Sequence, residues 1–220
     1  METFIVRVWL PDRPGALGAV ASRIGALRGD VVGIEILERG GGRAIDELVV
    51  QLPDATVMGL LVSEIAEVDG VDVEDVRPAP GAPADQRLDA LDTAAVLVGA
   101  TTQAALIGEL VARAHEVFEA EWAAAVDTER ALVAAAVGSP PPAAWLAAFV
   151  AGSRSSALVA AGDRGPDDAA WSALEGTAVA VVLGRRGRPF RARERRELSA
   201  LARIAGLRAC ELDRVGAVRH

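Results

Sequence analysis

The pattern of apolar and polar positions divides the first part of the chain into alternating strand-like and helix-like segments. Apolar side chains fill every second position from Phe4 to Leu10, which is typical of a half-buried strand. Helical spacing follows, with an apolar stripe made of Leu17, Val20, Ile24 and Leu27. The remaining strands are predicted over 31–38, 44–52 and 71–76, with a second helix after Asp54. The predicted order is therefore βαββαβ.

A short polar turn joins the first predicted strand to the first predicted helix. Pro14 has a fixed φ and no N–H to lose, so it suits the first turn of a helix. Gly15 has no Cβ, which lets backbone or a ligand come close. Asp12 either caps the helix or binds a small polar ligand beside the exposed helix N–H groups. Gly29 is predicted to end the helix.

This order of elements predicts a ferredoxin-like βαββαβ sandwich. Right-handed crossovers place both helices on one face of a four-stranded antiparallel sheet. The opposite face would carry Ile5, Trp9 and Val49. Because an apolar sheet face is poorly suited to water, we expect a second subunit or the C-terminal half of the chain to contact it.

A segment rich in proline, alanine and glycine, 79–87, separates the two halves of the chain and predicts a linker. Beyond it, helical patterns cover 86–101 and the stretch after Thr102, and a long helix ends the chain. Further strands are predicted over 122–127, 131–137, 169–175 and 178–184. The second half is thus expected to be an antiparallel sheet flanked by helices, and the whole chain an α+β protein.

The composition limits the chemistry that the chain can perform. The 220 residues include no lysine, asparagine or tyrosine, so all 23 basic residues are arginine. Without lysine there is no P-loop lysine and no Schiff-base nucleophile. The only histidines are His115 and His220, and Cys210 is the only cysteine, so no zinc-binding pattern is present. An enzyme would have to work through carboxylates, serine or threonine, or arginine; our expectation is no catalytic residues, no metal and no cofactor.

Charge is unevenly distributed along the chain. The net charge is -8, yet residues 185–220 carry 11 arginines against 4 acidic residues. An arginine-rich tail invites comparison with nucleic-acid binding. However, these arginines lie on a predicted helix with one apolar face, and the rest of the chain is acidic. A solvated helix face, or docking of the arginines against the acidic parts of the chain, is the better interpretation, and we expect neither a nucleic-acid partner nor a membrane.

The first half resembles an ACT domain, a regulatory module that binds amino acids. The resemblance covers residues 3–78 and depends on the predicted order, the DRPGAL turn and the DELVVQLP strand. It implies a ligand-binding domain over 1–78, pairing of two copies as a homodimer, and an amino-acid site at the turn. The implied site residues are Asp12, Arg13, Pro14, Gly15, Ala16 and Leu17. Serine-binding members have His-x-Asn where this chain has Leu10 and Asp12, which argues against serine itself.

The second half resembles a GAF domain, a sensory module for small molecules. The likeness covers 88–215 and depends on the strand 121–126, the Gly-Arg-Pro-Phe sequence that ends at Phe190, and the LSALARIAGL helix. The usual cyclic-nucleotide residues and a pocket cysteine are missing. Trp122, Trp145 and Trp171 form either a pocket or, as we favour, part of an apolar core.

Together these features predict a non-catalytic, cytoplasmic regulatory protein that binds an amino acid or a similar small metabolite through its first domain. Two alternatives stay open. One is a protein-interaction or dimerisation module that binds no metabolite, and the other is a GAF-type small-molecule sensor. The N-terminus has no signal-peptide pattern, and no apolar run is long enough to span a membrane.

Overall fold

The computed structural model describes residues 1–79, 86–155 and 168–218, without the side chains of 86–87 and 216–218. The chain forms two compact units, Met1–Asp85 and Gln86–His220. Most of the predicted linker, residues 80–85, lies outside the described residues. Among the helices that are described, none has the length and apolar character needed to cross a membrane.

The first unit is an α+β sandwich with the predicted order of elements. Its strands are β1 (Glu2–Pro11), β2 (Asp30–Gly40), β3 (Arg43–Leu52) and β4 (Asp72–Pro78), and its helices are α1 (Ala16–Ala26) and α2 (Met58–Ala66). All neighbouring strands are antiparallel, in the order β2-β3-β1-β4. A 3-10 turn at Ala55–Val57 precedes α2, and Asp54 caps it by accepting from the Thr56 N–H at 2.8 Å. The ferredoxin-like prediction is confirmed.

Period-two alternation explains which face of this sheet is covered. Every second residue of β1 and β3 points to the helices and is buried: Phe4, Val6, Val8, Leu10, Leu48, Val50 and Leu52. The two helices supply Val20, Ile24, Leu61 and Ile65 to the same core. Both helices therefore cover one face of the sheet, as the right-handed crossovers predicted.

The end of α1 differs from the prediction. Arg28, not Gly29, adopts the left-handed backbone conformation, with φ at 60°. Gly29 is needed for a different reason. A Cβ at this position would come within 2.9 Å of side-chain atoms of both Ile24 and Leu52. The glycine thus permits close packing of the α1–β2 turn on the core, not a positive φ.

The second unit contains one antiparallel sheet with helices on both faces. Its strands are β5 (Trp122–Asp127), β6 (Leu132–Val137), β7 (Ala169–Ala173) and β8 (Val179–Gly184), in the order β6-β5-β8-β7. Its helices are α3 (Gln86–Gly99), α4 (Gln103–Val117), α5 (Ala143–Arg154) and α6 (Ala192–Val218). One face packs against α3, α4 and α6 in a large core, and the other packs against α5 in a smaller one.

Alternating small residues let both faces of this sheet be buried. Ala123 and Ala125 contribute to the larger core, whereas Ala124 and Val126 contribute to the smaller one. Arginines of the basic C-terminal region make contacts inside this unit. Arg195 donates to the Ala169 carbonyl at 3.0 Å, and Arg208 donates to the Ala100 carbonyl at 2.8 Å.

Candidate functional site

The loop between β1 and α1 is the candidate site in the first unit. The helix begins at Ala16, and its N-cap is Gly15, which has φ at 90° and provides no side-chain cap. A positive φ of this size favours glycine. A Cβ at Gly15 would meet no atom within 4 Å, so the space beside the loop is open.

The structure corrects one expectation for this loop, at Pro14, and decides between the two alternatives left open at Asp12. Pro14 precedes the N-cap, so the prediction that it lies in the first helical turn is wrong. Asp12 does not cap the helix. Its own N–H donates to the Gly42 carbonyl at 2.9 Å, which ties the loop to the β2–β3 turn, and its side chain is exposed. The Asp12 carboxylate therefore lies at the surface of the loop.

The other predicted site residues divide into backbone and side-chain roles. Arg13 is exposed and forms a 3.4 Å ion pair with Asp69. Ala16 is buried, and Leu17 packs against the core of the unit. The side chains of these two residues are thus occupied by packing. Leu17 and Gly18 can therefore contact a ligand only through their main-chain N–H groups, which lie at the positive end of the helix dipole.

Two N–H groups in the first turn of α1 have no acceptor within the described part of the chain. Ala16 N–H donates to the Arg13 carbonyl and Ala19 N–H donates to the Gly15 carbonyl, but no bond is formed by the N–H of Leu17 or Gly18. The first N–H groups of a helix have no intrahelical partner. This pair is available to an anion.

A buried carboxylate lies on the same side of the sheet. Asp46 of β3 is paired with Val8 of β1 and Ile36 of β2. By alternation its side chain shares the helix-covered face with Leu48 and Val50. Asp46 is only 4% exposed, and its Oδ1 atom is buried without a hydrogen-bond partner. Such groups are rare in folded proteins because burial removes the hydrating water and returns nothing.

The electrostatics connect Asp46 to the loop. Burial raises the pKa of the Asp46 carboxyl above its ordinary value of 3.8, and the negative charge of Asp12 raises this pKa further. Arg39 acts in the opposite direction but does not overcome burial. The two carboxylates are thus close enough to repel each other. A cation placed between them would relieve both the repulsion and the missing hydrogen bond.

On the opposite face of the same sheet, a buried carboxylate is paired with arginines. Arg7 is fully buried and contacts Glu47 at 2.8 Å, and Arg77 contacts the same carboxylate at 3.0 Å. Trp9 donates its indole N–H to Glu74 at 2.6 Å. The expected apolar face with Ile5, Trp9 and Val49 is therefore interrupted by an ion-pair network that the pattern did not reveal.

Sequence reasoning missed Asp46, although the signal was present. The alternation that places Leu48, Val50 and Leu52 in the core also places position 46 there. A carboxylate at an inward position of a central strand is a mismatch between residue type and place. Within the described ranges, no group of three His, Cys, Asp or Glu side chains is arranged to hold a metal ion.

The tryptophans of the second unit do not form one pocket. Trp122 and Trp145 line the same cleft, but Trp171 packs against the smaller core and lies under the Arg154 guanidinium at 5.7 Å. Trp122 packs against the same core, so the favoured interpretation, part of an apolar core, applies to both Trp122 and Trp171. Trp145 is 48% exposed and is not a core residue.

Comparisons with known proteins give only similarities of low identity to solved structures. No family model matches the chain, and no curated protein matches it. The ACT domain of a GTP pyrophosphokinase from Chlorobium tepidum has 15% identity and a TM-score of 0.29, covering 36% of this chain and 97% of that one. An uncharacterized protein from Thermotoga maritima has 22% identity and a TM-score of 0.29, covering 35% and 95%.

A formyltetrahydrofolate deformylase from Pseudomonas putida KT2440 has 20% identity and a TM-score of 0.31, covering 41% of this chain and 36% of that one. Identities and scores this low assign no residue and no ligand. The strand order β2-β3-β1-β4, with both helices on one face, identifies the first unit directly as an α+β, ferredoxin-like fold.

Proposed function

We propose that the first unit is an ACT-like regulatory domain that binds an amino acid or a similar small zwitterion at the β1–α1 loop. The observation that carries the proposal is the buried, unpartnered carboxylate of Asp46 on the helix-covered face, coupled electrostatically to Asp12 in that loop. A protonated amine supplies the positive charge and the hydrogen bonds that this carboxylate lacks.

The loop supplies the complementary half of the site. The Leu17 and Gly18 N–H groups would receive the ligand's carboxylate, and the helix dipole favours a negative charge there. Gly15 leaves room because no Cβ projects into the open space. The exposed Asp12 carboxylate would attract the ligand's ammonium from solvent, and the buried Asp46 carboxylate would accept a hydrogen bond from it. Charges of both signs at one loop favour a zwitterion over a simple anion.

We further propose that the second unit is a GAF-like domain and that the chain regulates without catalysis. The support is an antiparallel sheet of the described strands β6-β5-β8-β7, with helices on both faces. Regulation would follow from linkage, since a ligand shifts an equilibrium by its differential affinity for two states.

A homodimer is part of this proposal. Strand β2 lies at an edge of the first sheet and exposes Val32, Ile34 and Ile36 at 37%, 52% and 39%. An apolar edge strand is a template for pairing with another chain. Light scattering at micromolar concentration should give twice the chain mass, and a clean monomer would contradict this part.

The experiment that tests the function is a thermal-shift panel of the twenty amino acids beside the 2-hydroxy acids of the same side chains. A ligand at a hundred times its Kd adds about 2.7 kcal/mol to the free energy of unfolding. We expect one or a few amino acids to raise the melting temperature and their hydroxy analogues to fail. If no compound raises it, an interaction module without a metabolite becomes the better account.

A further inference from the structure

The second unit has a cleft that the regulatory proposal does not use. It measures about 750 Å³ and lies where the start of β5, the segment before α5, α5 itself and the start of β7 meet. Aromatic side chains and prolines form much of its lining, and carboxylates lie among them. The residues that matter below are Glu121, Trp122, Trp145, Phe149 and Asp168.

One wall of the cleft is an aromatic stack on α5. The rings of Trp145 and Phe149 lie parallel within 3°, with centroids 5.3 Å apart. One helical turn separates these residues, so the stack is built into the helix. Trp145 is nonetheless 48% exposed. A large indole that stays half in water offers its surface to a planar partner.

Another part of the lining is the Trp122 indole, whose position depends on a glycine. A Cβ at Gly184, its antiparallel partner on β8, would come within 2.2 Å of Trp122 ring atoms. No other residue type leaves the ring room to lie there. The indole is therefore seated against the β8 main chain and held in place at the cleft.

The charges at the cleft favour a cation. Arg185 lines the cleft, but its guanidinium is already engaged with Glu194 at 2.6 Å and with the Phe118 and Pro189 carbonyls. The Arg186 side chain is 92% exposed with its guanidinium 3.9 Å from Glu121, and the Arg186 main-chain N–H donates to the same carboxylate at 2.9 Å. Asp168 is exposed and forms no ion pair with any residue in the described ranges. Arg185 is engaged inside the unit and Arg186 faces the Glu121 carboxylate, whereas the Asp168 carboxylate remains available to a cation.

We propose that this cleft binds a planar organic cation, such as an N-alkylated or protonated heteroaromatic ring. The ring would stack on Trp145 and face the Trp122 indole, and its positive charge would be shared between the aromatic faces and the Asp168 carboxylate. Cation–π attraction is strongest over tryptophan. The inference does not depend on the amino-acid site of the first unit, because the cleft is built wholly from the second.

The test uses the full chain labelled with nitrogen-15 and three probes of matched size: N-methylquinolinium, 2-naphthol and 2-naphthoate. The indole N–H signals, assigned by single Trp→Phe variants, report binding at each tryptophan separately. We expect N-methylquinolinium to shift the Trp122 and Trp145 signals and to leave Trp9 and Trp171 in place. The neutral probe should bind more weakly than the cation, and the anion should bind most weakly.

Variants then separate stacking from charge. Trp145→Ala should weaken N-methylquinolinium binding about tenfold, the scale of a partly desolvated cation–π contact. Asp168→Asn is an exposed and isosteric change. It should weaken binding of N-methylquinolinium by about threefold and leave the affinity for 2-naphthol unchanged. Leu207→Ala, which removes an apolar side chain 61% exposed on α6, is the matched control and should change nothing.

Four results would overturn the proposal. Equal or tighter binding of 2-naphthoate would remove the cation preference. Binding that moves Trp9 or Trp171 instead would place the site elsewhere. Unchanged affinity in Trp145→Ala, with a native circular dichroism spectrum, would show that the exposed stack is not a binding surface, and so would failure of all three probes to shift any indole signal.

Discussion

Asp46 and Glu47 are neighbours on β3, but they face opposite sides of the first sheet and have opposite electrostatic environments. Burial alone would raise the pKa of Glu47, yet the charges and hydrogen bonds of Arg7 and Arg77 outweigh it and hold that pKa below its ordinary value. Burial raises the pKa of Asp46, and the opposing charge of Arg39 does not overcome it.

The difference shows what distinguishes a structural carboxylate from a candidate binding group. Glu47 completes a network in which two buried or half-buried guanidinium groups share one carboxylate. Asp46 is as well buried but has an Oδ1 atom without a partner, beside an open loop. A fold tolerates a buried charge when it is paired. An unpaired buried charge calls for a functional explanation. We propose that the Asp46 carboxylate is there to bind a ligand's ammonium.

Breaking the ion pairs of Glu47 should have the largest effect on the free energy of unfolding. Glu47→Gln leaves the buried Arg7 without its closest counter-charge. We expect a loss of about 3–5 kcal/mol in the free energy of unfolding, the usual cost of breaking a buried ion pair. Denaturant unfolding measures this, with the exposed Glu67→Gln as control. A loss no larger than that of the control would mean that the network contributes nothing.

A substitution at Gly15 in the β1–α1 loop should reduce stability less than Glu47→Gln does but should have a large effect on ligand binding. Gly15→Val forces a branched side chain into φ 90° and fills the open space. We expect a loss of about 1–2 kcal/mol from the left-handed conformation, together with loss of the ligand-induced thermal shift. Gly25→Ala is the matched control, because Gly25 lies on the same helix with open space around it and should gain about 0.5–1 kcal/mol.

Asp46 and Glu47 should also differ in the sign of their pH dependence. A carboxyl whose pKa is raised on folding destabilises the protein as the pH rises from 3.8 through the folded pKa. Asp46→Asn should remove that loss and stabilise the protein by about 1 kcal/mol at pH 7. It should leave stability unchanged well below pH 3.8, where Asp46 is neutral in both states.

The pH dependence at Glu47 runs the other way. Glu47 stabilises the folded protein fully at pH values above its ordinary pKa of 4.5. This stabilisation is lost as the pH falls through the lowered pKa of the folded state. Urea unfolding of both variants from pH 2.5 to 7.5 compares the two directly. Parallel pH profiles would show that the neighbouring carboxylates do not differ as described.

Asp12→Ala should have the smallest effect on stability. The Asp12 side chain is exposed and caps nothing, so we expect a change of less than about 0.5 kcal/mol. Loss of an outer carboxylate should weaken ligand binding about two- to fivefold, the range of exposed ion pairs. Melting curves beside calorimetric titration check both. A stability loss of an N-cap's size would contradict the loop geometry.

Several elements could be predicted from the sequence because their signals are local. The strand at Trp122–Asp127 was predicted with its observed bounds, and the α1 stripe identified Val20 and Ile24 as core. The β1–α1 loop was recognised as a tight turn with room beside Gly15. Periodicity and turn residues depend only on neighbours along the chain, so they are readable without a structure.

The features that sequence reasoning missed depend on residues that are far apart. The Arg7–Glu47–Arg77 network needs the register of three strands, which no local pattern contains. The role of Gly29 depends on its contact with Leu52 on another strand. Alternation alone assigns Asp46 to the inward face, but only the packing of other strands and helices around it shows that its Oδ1 atom is buried without a partner.

Calorimetric titration of the wild type and Asp46→Asn tests the central claim most directly. Each protein is titrated with the amino acid that gives the largest thermal shift and with its 2-hydroxy analogue, which keeps the carboxylate but lacks the ammonium. The wild type should prefer the amino acid by at least tenfold, and Asp46→Asn should lose most of that preference while still binding the shared carboxylate. An undiminished preference in Asp46→Asn would show that the buried carboxylate does not receive the ligand's amine.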